Sequence, residues 1–74
     1  MDFNYKFSAE RIGKNIKRRL KDLDMMQNEL AEKAGITESA VSYYIAGRRR
    51  PNIKALVNMA RVLNTTTDYL IFRE

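Results

Sequence analysis

The stretch "MQNELAEKAGITESAVSYYIAG", residues 26–47, decides the fold of this chain. Gly35 divides it into two short segments, and glycine fits the left-handed position just past the end of a helix. Thr37, a good N-cap residue, follows shortly after, so the stretch predicts one helix over 27–34 and a second from about 37 to 46. The residues expected to face the core are Leu30, Ala31, Ala34, Ala40, Val41, Tyr44 and Ile45. Two short helices joined by a tight turn form a helix-turn-helix unit.

A first helix precedes this unit. Phe7 and Ser8 suit a hydrophobic staple and an N-cap, with Phe7 able to contact Ile12. Apolar residues then recur at spacings of four, four and three, as they do on one face of a helix. These residues are Ile12, Ile16, Leu20 and Leu23. We expect the helix to end near Asp22 or Leu23.

Two more helices follow the unit. Pro51 and Asn52 precede the fourth helix, and Asn64, the usual substitute for glycine at a helix end, terminates it. Its predicted apolar stripe consists of Ile53, Leu56, Val57, Ala60 and Leu63. Thr66 caps a fifth helix over 67–72. The sequence therefore predicts an all-α fold of five helices, with residues 1–7 as an N-terminal tail and 8–74 as a single helix-turn-helix domain.

The composition excludes several classes of function. The chain has 74 residues and contains neither cysteine nor histidine. It therefore lacks a thiolate and also the commonest general base and metal ligand, so we expect no enzyme activity, no cofactor and no metal site. No apolar run approaches the ~18 residues of a membrane span. The start of the chain also lacks the apolar block of a secretory signal, so we expect a cytoplasmic protein.

Basic residues are concentrated in two segments of a chain whose net charge is +5. The first cluster lies in the predicted first helix: Arg11, Lys14, Lys17, Arg18, Arg19 and Lys21. The second lies in and just after the loop before the fourth helix: Arg48, Arg49, Arg50 and Lys54. Such clusters favour a polyanionic partner. A solvated helix face explains the first cluster equally well, whereas the second carries more weight because it lies in a loop.

Four segments together resemble one known family. They are "IGKNIK" (12–17), "QNELAEKAGITESAVS" (27–42), "AGRRRPN" (46–52) and "LVNMARVLNTTTDYL" (56–70). The chain is similar to the phage-repressor and Cro class of helix-turn-helix domains, also called the XRE family. The resemblance implies a lambda-repressor-like fold and sequence-specific binding of double-stranded DNA. It also implies a transcriptional regulator, in the first place a repressor, whose third helix enters the major groove.

The resemblance also implies which residues meet DNA. Gln27 matches the glutamine that touches a phosphate and braces the third helix, here called the recognition helix. The other predicted contacts lie on that helix and in the following loop: Thr37, Glu38, Ser39, Ser42, Tyr43, Arg48, Arg49, Arg50 and Asn52. The arginines suit phosphate neutralisation. Glu38 has two interpretations, because it either accepts a hydrogen bond from a cytosine amino group or only favours the helix N-terminus.

Two departures from the family stand out. Many members pair an arginine in the first helix with a glutamate near the end of the third, but this chain has Leu20 and Ile45 there. We expect an apolar contact to replace the ion pair. Met26 stands where a Ser or Thr cap is usual. The second helix is then uncapped, unless Asp24 supplies the cap or the helix begins earlier.

The partner predictions concern the C-terminal segment. Members of this class usually dimerise on two half-sites. We expect a homodimer formed through Tyr69, Leu70, Ile71 and Phe72, to which Phe3, Tyr5 and Phe7 of the tail add, unless the two segments pack on each other. The sequence leaves open a missing C-terminal domain. It also leaves open an alternative function, as a protein-interaction module or antitoxin-like chain that binds a partner protein with the same fold.

Overall fold

The computed structural model describes residues 8–74, and five α-helices account for most of them. Their bounds are α1 Ala9–Asp22, α2 Gln27–Ala34, α3 Glu38–Ile45, α4 Ile53–Val62 and α5 Thr67–Phe72. The described part of the chain contains no strand, so the prediction of an all-α fold of five helices is confirmed. Within the same residues, no helix has the length and apolar character that crossing a bilayer requires.

Four of the helices begin with a side-chain cap, and the sequence predicts three of these caps, at Ser8, Thr37 and Thr66. The capping residues are Ser8, Thr37, Asn52 and Thr66. In each case the side-chain oxygen accepts a hydrogen bond from the amide three residues further along, which satisfies one of the amides that a helix leaves unpaired at its start. The predicted staple between Phe7 and Ile12 falls on Phe7, which lies outside the described residues.

The turn between α2 and α3 has the predicted left-handed geometry. Gly35 has a φ of 70° and forms the C-terminal cap of α2. The amide of Ile36 then donates to the carbonyl of Ala31 at 3.0 Å, and the Ile36 side chain packs against the core. At the end of α4, Asn64 has a φ of 53°, as its predicted role as a helix stop requires.

The core is built from one face of each helix. Its buried apolar residues are Ile12, Ile16, Leu20, Leu30, Ala31, Ala34, Val41, Tyr44, Ala55, Leu56, Met59, Ala60, Leu63 and Leu70. Leu20 is buried and Ile45 packs against the same cluster, which is compatible with an apolar contact in place of the family's ion pair. Ala40 and Ile45, which were both expected to face the core, are only partly buried.

Three predicted placements are wrong. Ile53 is 76% exposed, because the buried face of α4 is turned towards Ala55 and Met59 and Ile53 lies at its edge in the first turn. Leu23 is 37% exposed, because it caps the end of α1, past the last residue that faces the core. Leu70 is fully buried in its own domain, so it is not available for the predicted dimer interface.

A glycine sets the distance between α1 and α3. A Cβ atom on Gly13 would lie 2.7 Å from the carbonyl oxygen of Ile45 and closer still to that of Tyr44. Real side chains do not approach backbone oxygens so closely. The absence of a side chain at Gly13 therefore allows α1 to rest directly on the C-terminal end of α3.

Two polar residues of α1 bind the ends of the last two helices. The Asn15 side chain is buried, and its Nδ2 donates to the carbonyls of Leu70 at 3.0 Å and Arg73 at 2.9 Å. The Arg19 guanidinium donates to the carbonyl of Leu63 at 2.8 Å. These carbonyls lie where α4 and α5 end and lack partners within their own helices, so α1 satisfies them.

The close contact at Gly13 generates a stability prediction. We expect Gly13→Ala to lower the free energy of unfolding by about 1–2 kcal/mol, because overpacking against a rigid backbone costs about 1–3 kcal/mol and the better helix propensity of alanine returns at most about 1 kcal/mol. Urea unfolding followed by circular dichroism measures the change. Lys14→Ala, at the next and exposed position, is the matched control and should be neutral or slightly stabilising. Equal stability of the two variants would contradict the contact.

Candidate nucleic-acid interface

The outer face of α3 brings four of the predicted contact residues together. Val41 and Tyr44 are buried and fix the inner face of this helix. On the opposite side, four exposed residues line one shallow and open depression: Glu38, Ser39, Ser42 and Tyr43. This face consists of short polar side chains around one aromatic ring. Such a surface suits a hydrogen-bonding partner better than an apolar partner.

Thr37 is the N-cap residue of α3. Its Oγ1 accepts a hydrogen bond from the amide of Ala40 at 3.0 Å, so this oxygen is occupied by the cap. Asn52, which is also exposed, has the same task for α4, where its Oδ1 accepts from the amide of Ala55 at 2.8 Å. Each cap uses one acceptor site of the oxygen, and the donor hydrogens of both side chains remain for an external partner.

Gln27 is the first residue of α2 and reaches across to α3. Its Oε1 accepts a hydrogen bond from the hydroxyl of Ser42 at 3.1 Å. Met26, the N-cap residue, supplies no side-chain cap, and the helix begins at Gln27 as predicted. The amide of Glu29 is taken by Oδ1 of Asn28 at 2.9 Å. The start of α2 therefore keeps amide donors that face outwards, together with the positive end of the helix dipole.

The arginine loop, residues 48–50, is anchored to the end of α3. The amide of Arg48 donates to the carbonyl of Tyr43 at 3.0 Å. The Arg49 guanidinium carbon lies 5.5 Å from the centre of the Tyr43 ring, within the range of a cation–π contact. All three arginines are exposed, whereas Pro51 is buried and holds the far end of the loop.

Positive charge lies on both sides of α3. The arginine loop lies on one side. On the other, Lys17 and Lys21 of α1 line a depression together with Gln27 and Glu38. The carboxylate of Glu38 has no hydrogen bond or ion pair with any residue in 8–74. The polar face of α3 thus carries one unneutralised acid between two cationic flanks.

The family resemblance implied the residues of this surface and a brace from Gln27 to α3, but not that Ser42 is the partner of Gln27. Gln27 and Ser42 are 15 positions apart, and neither helical periodicity nor a motif connects them. The stacking of Arg49 on Tyr43 was equally absent from the sequence pattern. Both contacts depend on the angle at which α2, α3 and the loop meet, and only the folded structure contains this angle.

The fold and this surface define a five-helix, helix-turn-helix domain of the phage-repressor type. A family model described as Helix-turn-helix matches residues 16–70, so the chain belongs to this family. The chain is also 36% identical over 60 residues to the HTH-type transcriptional regulator YqaE of Bacillus subtilis (strain 168). The match covers 81% of this chain and 52% of YqaE, so the chain spans about half the length of that relative.

Two solved structures with similar folds contain DNA. The P22 c2 repressor in complex with a synthetic operator is 28% identical with a TM-score of 0.78, over 81% of this chain and 91% of that one. The biofilm regulator SinR in complex with DNA is 33% identical with a TM-score of 0.76, over 80% of this chain and 95% of that one.

The uncapped start of α2 generates a second prediction. We expect Met26→Ser to raise the free energy of unfolding by roughly 1 kcal/mol, because a serine hydroxyl at an N-cap position accepts from the second or third amide of the helix. The third, that of Glu29, is already bound by Asn28 Oδ1, so the expected donor is the amide of Asn28. Met26 already has the extended backbone of a cap and is 70% exposed, so little packing is lost. Met26→Ala is the control that removes the same side chain without supplying a cap. Thermal unfolding of the two variants measures the difference, and serine no better than alanine would contradict the prediction.

Proposed function

We propose that this chain binds double-stranded DNA in a sequence-specific manner and regulates transcription, as a repressor. The observation that carries the proposal is the exposed polar face of α3 between two groups of cations. The DNA complexes of the P22 c2 repressor and of SinR support it by analogy of fold. We also propose that residues 8–74 form a single DNA-binding domain.

In this proposal α3 enters the major groove, which is wide enough to admit a helix. The start of α2 then faces the phosphate backbone, where free amides and the helix dipole favour an anion. Gln27 adds a side-chain amide at the same place. The arginine loop follows the backbone beyond the other end of α3, and its charges release counterions as they neutralise phosphates.

Base selection falls to the side chains that α3 carries in its first two turns. Ser39 presents a hydroxyl that both donates and accepts, and Tyr43 presents a ring that can contact a thymine methyl group. The Glu38 carboxylate can only accept hydrogen bonds. Phosphate repels its unpaired carboxylate, and the donor that the major groove offers it most directly is the amino group of cytosine.

We further propose that the chain acts as a homodimer on two half-sites, because a single α3 contacts too few base pairs for useful selectivity. Phe72 is 47% exposed and Tyr69 and Ile71 are partly buried, so this edge of α5 keeps apolar surface for a second copy. Leu70 is excluded because the domain core buries it completely.

Selection of bound duplexes from random DNA, repeated at two salt concentrations, tests the proposed function. We expect a defined site with two-fold symmetry and an affinity that falls steeply with salt. Equal and weak binding to every duplex, even at low salt, would overturn the proposal.

Arg48→Ala extends this test to the backbone contacts. Loss of one phosphate contact should weaken binding to all duplexes alike and reduce the salt slope by about 1. Arg61→Ala removes the same charge from the exposed surface of α4 and is the matched control. Equal effects of the two variants would mean that net charge alone, and not the loop, determines the binding.

Glu38→Gln tests base selection. Glutamine pairs with adenine whereas glutamate accepts from cytosine, so the preferred base should change from cytosine to adenine at one position of each half-site. Non-specific affinity should rise at the same time, because a charge that phosphate repels is gone. The same selection experiment measures both effects. An unchanged site would leave Glu38 with a role at the helix end only.

A further inference from the structure

We propose that Ser42 does not select bases but positions Gln27, so that the side-chain nitrogen of Gln27 faces a DNA phosphate. This inference rests on the proposed function and assigns to Ser42 a different role from the groove contact expected from the sequence. The observation behind it is the hydrogen bond from the Ser42 hydroxyl to Oε1 of Gln27, 3.1 Å long, which joins α3 to the first residue of α2.

The contact uses the single donor of Ser42. A serine hydroxyl has one hydrogen, and in this structure the hydrogen of Ser42 is donated to Gln27, although Ser42 also lines the depression with Glu38 and Ser39. Ser39 lies one turn closer to the start of α3 and makes no side-chain hydrogen bond within residues 8–74. The two serines of α3 therefore differ, because the donor of Ser39 is available to a base whereas that of Ser42 is already used.

The same bond decides which end of the Gln27 amide is available to an external partner. The amide has one oxygen, which accepts, and one nitrogen, which donates two hydrogen bonds. With Oε1 bonded to Ser42, Nε2 has no partner within residues 8–74 and keeps both of its hydrogens for an external acceptor. A phosphate only accepts hydrogen bonds, so this orientation presents a donor to it and the opposite one would present a lone pair. Ser42 thus prepares Gln27 before DNA arrives, and less ordering is needed on binding.

The orientation of Gln27 by Ser42 matters because both side chains are exposed to solvent. Gln27 and Ser42 are both on the surface, and Gln27 has no other side-chain hydrogen bond within the described residues. Without Ser42, the Gln27 side chain would be free to adopt many rotamers, and ordering a flexible side chain at an interface has an entropic cost. Removal of the Ser42 hydroxyl should therefore act on affinity for DNA and not on folding.

A double-mutant cycle tests the inference. We expect Ser42→Ala to weaken binding to every duplex by a similar factor, roughly 3- to 10-fold, as the loss of one neutral hydrogen bond does. Gln27→Ala should weaken binding at least as much. The double variant should bind no more weakly than Gln27→Ala alone, because Ser42 acts only through Gln27. Fluorescence anisotropy with the selected site and with an unrelated duplex measures all four proteins.

Three further variants sharpen the test. Ser42→Thr keeps a hydroxyl and should restore binding. Gln27→Glu keeps an oxygen for Ser42 but loses the donor, so it should lose affinity although the contact to α3 is retained. Ser39→Ala should instead change the preferred base at one position. Thermal unfolding temperatures of the Ser42 variants should match that of the unaltered chain.

Two results would overturn the inference while leaving the proposed function intact. One is a Ser42→Ala variant that changes the preferred base at a single position and binds the unrelated duplex as before. The other is a full additional loss from Ser42→Ala in the Gln27→Ala background. Failure of the unaltered chain to prefer any duplex would instead overturn the proposed function, and this inference with it.

Discussion

The close approach of α1 to the end of α3 is the constraint on which the rest of the structure depends. Because Gly13 has no side chain, the carbonyls of Tyr44 and Ile45 rest directly on α1. Helix α2 packs on another side of α3. Two neighbours thus fix the rotation of α3 about its own axis, and this rotation decides which residues it exposes. A polar surface that is held in this way loses little conformational entropy when it binds a partner.

The basic residues of α1, the first basic cluster, do not all make the same kind of contact. Arg19 donates to the end of α4, and Arg18 donates to Oδ1 of Asn15, whose own amide nitrogen holds the end of α5. These two cations therefore have a structural task inside the domain. Lys17 and Lys21 instead line the depression beside Gln27, where a polyanion would pass. The solvated helix face that the sequence also allowed does not describe Arg18 and Arg19, which bind other groups of the domain.

The sequence predicted the features that depend on local chemistry. The Thr37 cap and the left-handed Gly35 follow from what their own backbone requires, and both are confirmed. Periodicity failed for Ile53, which is exposed in the first turn of α4. The apolar content of α5 did not reveal which of its residues the core buries, as Leu70 shows. The resemblance implied that Gln27 contacts α3, but Ser42 as its partner was not predictable, because the choice depends on the angle between two helices. Local rules therefore sufficed for the helices and for the candidate surface, but not for the division of tasks within it.

The unpaired carboxylate of Glu38 bears on the balance between affinity and selectivity. Net charge already supplies attraction to any duplex, because the chain has 14 basic and only 9 acidic residues. Non-specific attraction of this kind competes with a specific site, since a genome offers far more wrong sites than right ones. An acid at the leading end of α3 is repelled wherever it meets only phosphate and acceptor groups, and is accommodated where a base amino group can donate to it. In the proposed complex the cost of Glu38 therefore falls mainly on wrong sites, and a residue that lowers overall affinity raises the ratio of specific to non-specific binding.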